Sequence, residues 1–92
     1  MRIIIAGAGA VGRHLAKLLS REDMDISLID DRQERLGDLD ASYDLLTKVG
    51  SPMSIHDLKS IGVEDVDLFI AVMPSESDNI TACLLANQLG AK

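Results

Sequence analysis

The sequence predicts one α/β domain, a doubly wound parallel sheet of pattern βαβαβαβα. Three features carry that expectation. Short β-branched apolar runs alternate with amphipathic stretches, a glycine-rich turn directly follows the first run, and an aspartate closes the second. Alternation of this kind builds a parallel sheet with right-handed crossovers and helices on both faces.

Arg2 to Ala6 (RIIIA) is a nearly continuous apolar run, the mark of a strand covered on both sides. Gly7 to Gly12 follows without a break. Arg13 to Arg21 then reads as helix, with Val11, Leu15, Leu18 and Leu19 near one stripe. Asp25 to Asp30 (DISLID) is the second strand. Gln33 to Tyr43 suits a helix that turns Leu36 and Leu39 inward, although Gly37 weakens it. Leu45 to Val49 makes a short third strand. Ser54 and Asp57 have the spacing of a capping box, and Gly62 suits the stop of a helix that runs to about Ile61. Asp67 to Met73 (DLFIAVM) is the most apolar strand. Ser75 with Asp78 repeats the cap, and the last helix continues through Ala82, Leu85, Ala86 and Leu89 to Gly90. Doubly wound domains usually continue with further strands, so residues 1–92 read as a single domain that is an N-terminal fragment of a longer chain.

Composition narrows the function classes. Of the 92 residues, 47% are hydrophobic, enough for one core without staples. A single cysteine, Cys83, excludes an internal disulfide and with it a secreted disulfide scaffold. Fifteen acidic and nine basic residues give a net charge of -6, the opposite of a nucleic-acid footprint. Aromatics at 2% offer no stacking platform for single strands. The longest apolar runs fall far short of the ~20 residues that cross a bilayer, and no leader pattern is evident. A soluble cytoplasmic chain with no membrane insertion is expected.

The glycine turn carries the chemistry. Gly7-Ala8-Gly9-Ala10-Val11-Gly12 has the spacing GxGxxG between a strand and a helix, the context in which this motif cradles a pyrophosphate. Gly7 permits the tight turn, Gly9 lets the backbone approach phosphates, and Gly12 permits close packing of helix on sheet. Backbone N–H groups at the helix start, aided by the helix dipole, attract the phosphates. Asp30 stands at the usual separation of about 20 residues, where a carboxylate accepts hydrogen bonds from ribose hydroxyls. Strand, loop, helix, strand and acid in register describe a Rossmann-like nucleotide-binding domain. A carboxylate beside the ribose repels a 2′-phosphate, which favours NAD over NADP. Arg32 argues the other way, and is read in preference as a solvated surface residue.

Further stretches point to a family. Met1 to Gly12, Asp25 to Asp30, Val49-Gly50, Leu58 to Asp67, Ile70 to Val72 and Ser77 to Cys83 together resemble the N-terminal nucleotide-binding module of TrkA-type potassium-uptake regulators, the RCK or KTN domain. The run IGVEDVDLFIAV followed by DNITACLLA is the most specific part. The resemblance implies a module that binds NAD(H), with ATP or ADP as alternatives. It implies a homo-oligomer, dimer or ring, that gates a membrane potassium transporter from the cytoplasmic face. By resemblance, Gly7, Gly9 and Gly12, with the intervening Ala8, Ala10 and Val11, hold phosphates. Asp30, with Asp31 and Arg32 beside it, holds a ribose. Gly50, Ser51 and Pro52 border the adenine. Ala71, Val72 and Met73, through Pro74, form the fourth-strand loop near the ligand, and Asn79 lies close to the far end of the site.

Two departures bear on the ligand. The family commonly has Gly-Asp where this chain has Gly50-Ser51, and a small residue where it has Pro52. Ser51 brings no negative charge and Pro52 no N–H, so adenine contacts there are expected to be looser or differently arranged. Relatives that prefer ATP can carry an arginine inside the glycine loop, where this chain has Ala10, and this favours a dinucleotide.

The remaining polar residues have plainer readings. Arg13 is a phosphate contact or, in preference, a solvent or interface residue, and His14 a surface residue. His56 has no further His or Cys at metal-ligand spacing. Cys83 reads as a buried, inert thiol, and Glu64, Asp65 and Asp67 as solvated loop charge. The residues supply no Ser–His–Asp set, no Tyr–Lys pair and no zinc pattern. A regulatory binding module is therefore expected, not an enzyme. The alternative is the cofactor half of an NAD-dependent dehydrogenase, because the glycine loop fits both.

Overall fold

A computed structural model describes residues 1–37 and 39–91, with residues 40 and 42 described by backbone alone. The elements in chain order are β1 Arg2–Ala6, α1 Ala10–Leu19, β2 Asp25–Asp30, α2 Gln33–Leu36, α3 Leu39–Ser42, β3 Leu46–Val49, α4 Ile55–Ser60, a 3₁₀ turn Val63–Asp65, β4 Leu68–Ala71 and α5 Glu76–Gln88. The four strands form one parallel sheet in the order β3-β2-β1-β4. This is the expected Rossmann-like architecture.

The run RIIIA becomes a central strand because its side chains are apolar on both faces. Ile3 and Ile5 join the core beneath α1, α2 and α3, with Ile26, Leu28 and Leu36. Ile4 and Ala6 join the opposite core beneath α4 and α5, with Ile29, Leu58, Val63 and Ala86. Both serine caps form as expected. Ser54 Oγ accepts from the Asp57 N–H at 3.2 Å, and Ser75 Oγ from the Asp78 N–H at 3.3 Å. Gly62, in the left-handed region at φ +79, follows α4.

Several boundaries and faces differ from the sequence expectation. α1 starts at Ala10 instead of Arg13, so the second half of the glycine motif is already helical, and the Arg13 N–H donates to the Gly9 carbonyl at 3.0 Å. Its inward face is built on Gly12 and Ala16, flanked by Leu15 and Leu19, while Val11 and Leu18 face outward. Small residues win that face because the helix lies too close to the sheet for branched ones. The single helix expected over Gln33 to Tyr43 is two one-turn helices, broken where Gly37 takes φ +52. Leu36 and Leu39 still point inward. Asp38, inside that expected helix, lies outside the described residues.

β3 starts one residue late, and β4 is shorter than Asp67 to Met73. Asp67 serves as a clasp at its entry: its carboxylate accepts the Arg2 N–H at 2.9 Å and its own N–H donates to the Arg2 carbonyl at 2.8 Å. Glu64 and Asp65 are exposed, and Asp65 stands 3.8 Å from the Arg2 guanidinium. Cys83 is exposed, not buried. It sits about 100° round the helix from Ala82, which with Ala86 faces the sheet.

α2 is only one turn long, so its hold on the sheet rests on Leu36, which is fully buried. Leu36→Ala is expected to lower unfolding free energy by about 2–5 kcal/mol, as for other buried leucine truncations. Urea denaturation measures it, and an unchanged midpoint would mean that α2 does not anchor the core.

Candidate nucleotide site at the strand ends

The chain winds from β1 through β2 to β3, then crosses back to place β4 on the other side of β1. Open α/β sheets bind ligands beyond the carboxyl ends of the strands at such a reversal. The glycine loop that follows β1 stands at this point. The fold makes different demands at the three glycines. Gly7 has φ +112, and a Cβ there would also press on the Val72 carbonyl oxygen at 3.0 Å. A Cβ on Gly12 would run into the Gly7 carbonyl oxygen, so α1 could not lie so close. A Cβ on Gly9 would have no described atom within 4 Å. The fold leaves that space open.

Asp30 is the one buried charged side chain among the described residues, 4% exposed. A buried carboxylate needs partners, and it has them. Oδ2 accepts the Ala8 N–H at 2.8 Å and Oδ1 the Arg32 N–H at 2.8 Å. The Arg35 guanidinium lies 3.6 Å from Oδ2. The Asp30 carbonyl accepts the Gly50 N–H at 3.0 Å. One residue thereby touches the loops after β1, β2 and β3.

A cleft of about 250 Å³ opens over it. Asp30, Asp31, Arg32 and Arg35 line one wall, Ser51, Pro52 and Met53 a second, and Met73, Pro74, Ser75 and Asp78 a third. A larger hollow of about 440 Å³ lies at the opposite end of the strands, among Arg2, Asp25 and Asp44. Another of about 530 Å³ lies among Ser27, Lys48 and Lys59, so size alone would not favour the cleft. The buried acid lines the cleft and is bonded to the glycine loop at the reversal of winding, so the cleft is the candidate site.

Of the residues singled out in the sequence, Asp30, Asp31, Arg32, Ser51, Pro52 and Met73 line the cleft together. None of Gly7 to Gly12 lines the cleft: Gly7, Ala8 and Gly12 are buried, Gly9 is half-buried, and Ala10 and Val11 are exposed. Val72 backs that loop against Gly7 and Gly12. Gly50 comes so near Asp57 that a Cβ would meet its carboxylate at 2.8 Å. The Ser51 N–H donates to the same carboxylate at 2.9 Å, and Ser51 Oγ accepts the Met53 N–H at 3.1 Å. The Gly50-Ser51 turn therefore does have a carboxylate beside it, supplied by α4.

Ala71 and Asn79 lie elsewhere, in a shallow apolar groove with Ile80, Cys83 and Leu84. The Asn79 amide is committed to Met73: Nδ2 donates to its carbonyl at 3.0 Å and Oδ1 accepts its N–H at 2.7 Å. Asn79 shapes the cleft by holding Met73. Arg13 lines a separate hollow with Lys17, Glu34 and Arg35, and His14 and His56 are exposed. Among the described residues no group of acidic, histidine or cysteine side chains could hold a metal ion.

Sequence reasoning missed Arg35, Met53, Ser75 and Asp78 as cleft residues. Arg35 left a signal, a cation in the single-turn helix that opens just after Asp30. Met53 reaches the cleft through loop geometry, and Ser75 and Asp78 through the placement of the start of α5, which local pattern does not encode.

Comparison with known proteins supplies the context. The TrkA-N domain family matches residues 3–92. The Trk system potassium uptake protein TrkA of Haemophilus influenzae is 43% identical over 89 residues, which are 97% of this chain and 19% of that protein. TrkA of Halomonas elongata is 40% identical over 89 residues, 97% of this chain and 20% of that protein. The chain thus spans about one fifth of the length of these curated relatives. Among solved structures, the AMP-bound Kef C-terminal domain of Shewanella denitrificans superimposes with TM-score 0.80 at 20% identity, covering 96% of this chain and 52% of that one. A UDP-Glc/GlcNAc 4-epimerase from Campylobacter jejuni superimposes with TM-score 0.68 at 17% identity, covering 94% and 34%. At these identities the likeness is one of fold, and the fold serves enzymes too.

The glycines separate fold from site. Gly9→Val is expected to leave the thermal midpoint nearly unchanged and to abolish NADH binding by filling the open space over the loop. Gly12→Ala is expected to destabilise the fold by roughly 1–3 kcal/mol through overpacking. Thermal denaturation with NADH titration checks both, and a Gly9→Val protein that binds NADH like the parent would refute the site.

Proposed function

The chain belongs to the TrkA-N family, and on that premise we propose that it is the nucleotide-sensing module of a regulatory subunit of a potassium-uptake system. The observation that carries this reading is the buried Asp30 carboxylate bonded to the glycine loop at 2.8 Å, beside a cleft at the strand ends. Phosphates would meet the N–H groups of the loop and the first turn of α1. Ribose hydroxyls would meet the acceptor capacity that Asp30 retains, and adenine would lie between the Arg32–Arg35 and Ser51–Met53 walls. NAD(H) is the ligand proposed. ATP and ADP are the alternatives, and the Kef neighbour, solved in an AMP-bound form, lends support to an adenine nucleotide.

The module binds and does not catalyse in this reading. Asp30 is engaged by backbone donors, and no side chain in the cleft wall is paired with a base in the manner of a nucleophile. No helix among the described residues is long and apolar enough to cross a membrane. The module would act from the cytoplasm, as a homo-oligomer, through a membrane potassium transporter subunit. Ligands that bind two assembly states unequally shift the transporter between them. A roughly fivefold shift needs only about 1 kcal/mol of difference.

Calorimetric titration with NAD⁺, NADH, NADP⁺, ATP and ADP is expected to show tighter binding of NAD⁺ than of NADP⁺, because Asp30 repels a 2′-phosphate. Preference for NADP⁺ would overturn the placement of the ribose on Asp30. Potassium flux into vesicles that carry the transporter with the intact regulator is expected to change when the nucleotide is exchanged. Flux indifferent to every nucleotide that binds would remove the regulatory reading and promote the cofactor half of a dehydrogenase.

A further inference from the structure

We propose that Asp30 is a positioning residue for the glycine loop, holding the backbone of Ala8 in its ligand-ready geometry before any nucleotide arrives. The proposal rests on the reading of that loop as a phosphate cradle and adds a role to a residue otherwise expected only to touch the ribose.

Ala8 is fully buried. Its N–H lies between two ladders that pass it by, since β1 ends at Ala6 and the first helical bond of α1 runs from the Arg13 N–H to the Gly9 carbonyl. A buried backbone donor needs an acceptor. Among the described residues that acceptor is Asp30 Oδ2, at 2.8 Å and from another strand. The neighbouring anchors are backbone bonds: the Gly7 N–H donates to the Ile29 carbonyl at 2.9 Å and the Val72 N–H to the Ala6 carbonyl at 2.9 Å. Asp30 is thus the side-chain link at the point where the chain leaves the left-handed Gly7 and turns into α1.

The residue type follows. A carboxylate has two acceptor oxygens, one for Ala8 and one for Arg32, with lone pairs left over for ribose hydroxyls. An asparagine has one acceptor oxygen and would turn an NH₂ toward the other N–H. The Arg35 guanidinium, 3.6 Å away, balances the buried charge without competing for the two backbone donors. Binding a ribose and holding the loop therefore draw on the same group.

A cycle between residue and ligand tests this in the intact protein. Wild type, Asp30→Asn and Asp30→Ala are titrated with NAD⁺ and with an NAD⁺ analogue lacking both hydroxyls on the adenosine ribose. In parallel, amide exchange and proton shifts are read without nucleotide. The expected result is that both variants bind the analogue at least about fivefold more weakly than wild type does, although it has no hydroxyls for Asp30 to contact. The Ala8 amide should exchange faster and lose its charge-assisted downfield shift, while amides of Ile4, Ile5 and Leu28 stay protected. Equal binding of the analogue by all three proteins, with Ala8 unchanged, would overturn the proposal and leave Asp30 a ribose contact alone. Wild type that binds no nucleotide, while Asp30→Asn still frees the Ala8 amide, would remove the nucleotide reading and keep the loop-holding role. Should the variants fail to fold, the wild-type Ala8 amide decides: protection and a downfield shift without nucleotide sustain the proposal, and fast exchange overturns it.

Discussion

The bond between the Asp30 carboxylate and the Ala8 amide is the constraint on which the rest of the site depends. A carboxylate shielded from water is costly unless donors surround it. Here the donors come from the backbone of two loops, with an arginine from α2 alongside. Satisfying one buried charge therefore draws the loops after β1 and β2 together. The main chain of the same residue adds the loop after β3 through Gly50. The cleft forms where these loops meet because the acid that lies under it leaves them little other choice.

The second constraint is steric. α1 can lie against β1 only because Gly12 has no side chain to meet the Gly7 carbonyl, and because Ala16 continues the same small face. That proximity aims the start of α1 at the reversal point of the sheet. The third wall is held by a different device, the paired amide bonds between Asn79 and the backbone of Met73. Three walls from separate elements, each with its own anchor, suit a site whose occupant bridges them.

The sheet, its four strands and both serine caps were legible in the sequence because they follow local periodicity and local hydrogen bonding. So were the steric demands for glycine at Gly7 and Gly12, since the spacing between strand and helix admits few geometries. The helix over Gln33 to Tyr43 was less legible. Its apolar pattern is helical throughout, and Leu36 and Leu39 do turn inward, but Gly37 takes a left-handed conformation that splits it. Cys83 and Val11 were misplaced for a related reason. Apolar character says that a residue is able to be buried, whereas helix rotation says whether it is, and rotation is set by contacts far along the chain.

By itself the sequence determined the architecture, the glycine loop and the acid that answers it, because each is encoded by residue type at short range. It also carried the kinship, which the matches along nearly the whole chain establish. Only the tertiary structure decided what those residues do to one another. It set Asp30 against Ala8, brought Asp57 to the Gly50-Ser51 turn, turned Asn79 toward Met73 and placed Arg35 at the cleft. These pairings join residues from different loops and helices. Their geometry follows from how the crossovers lay those elements over one sheet, and no local propensity specifies it.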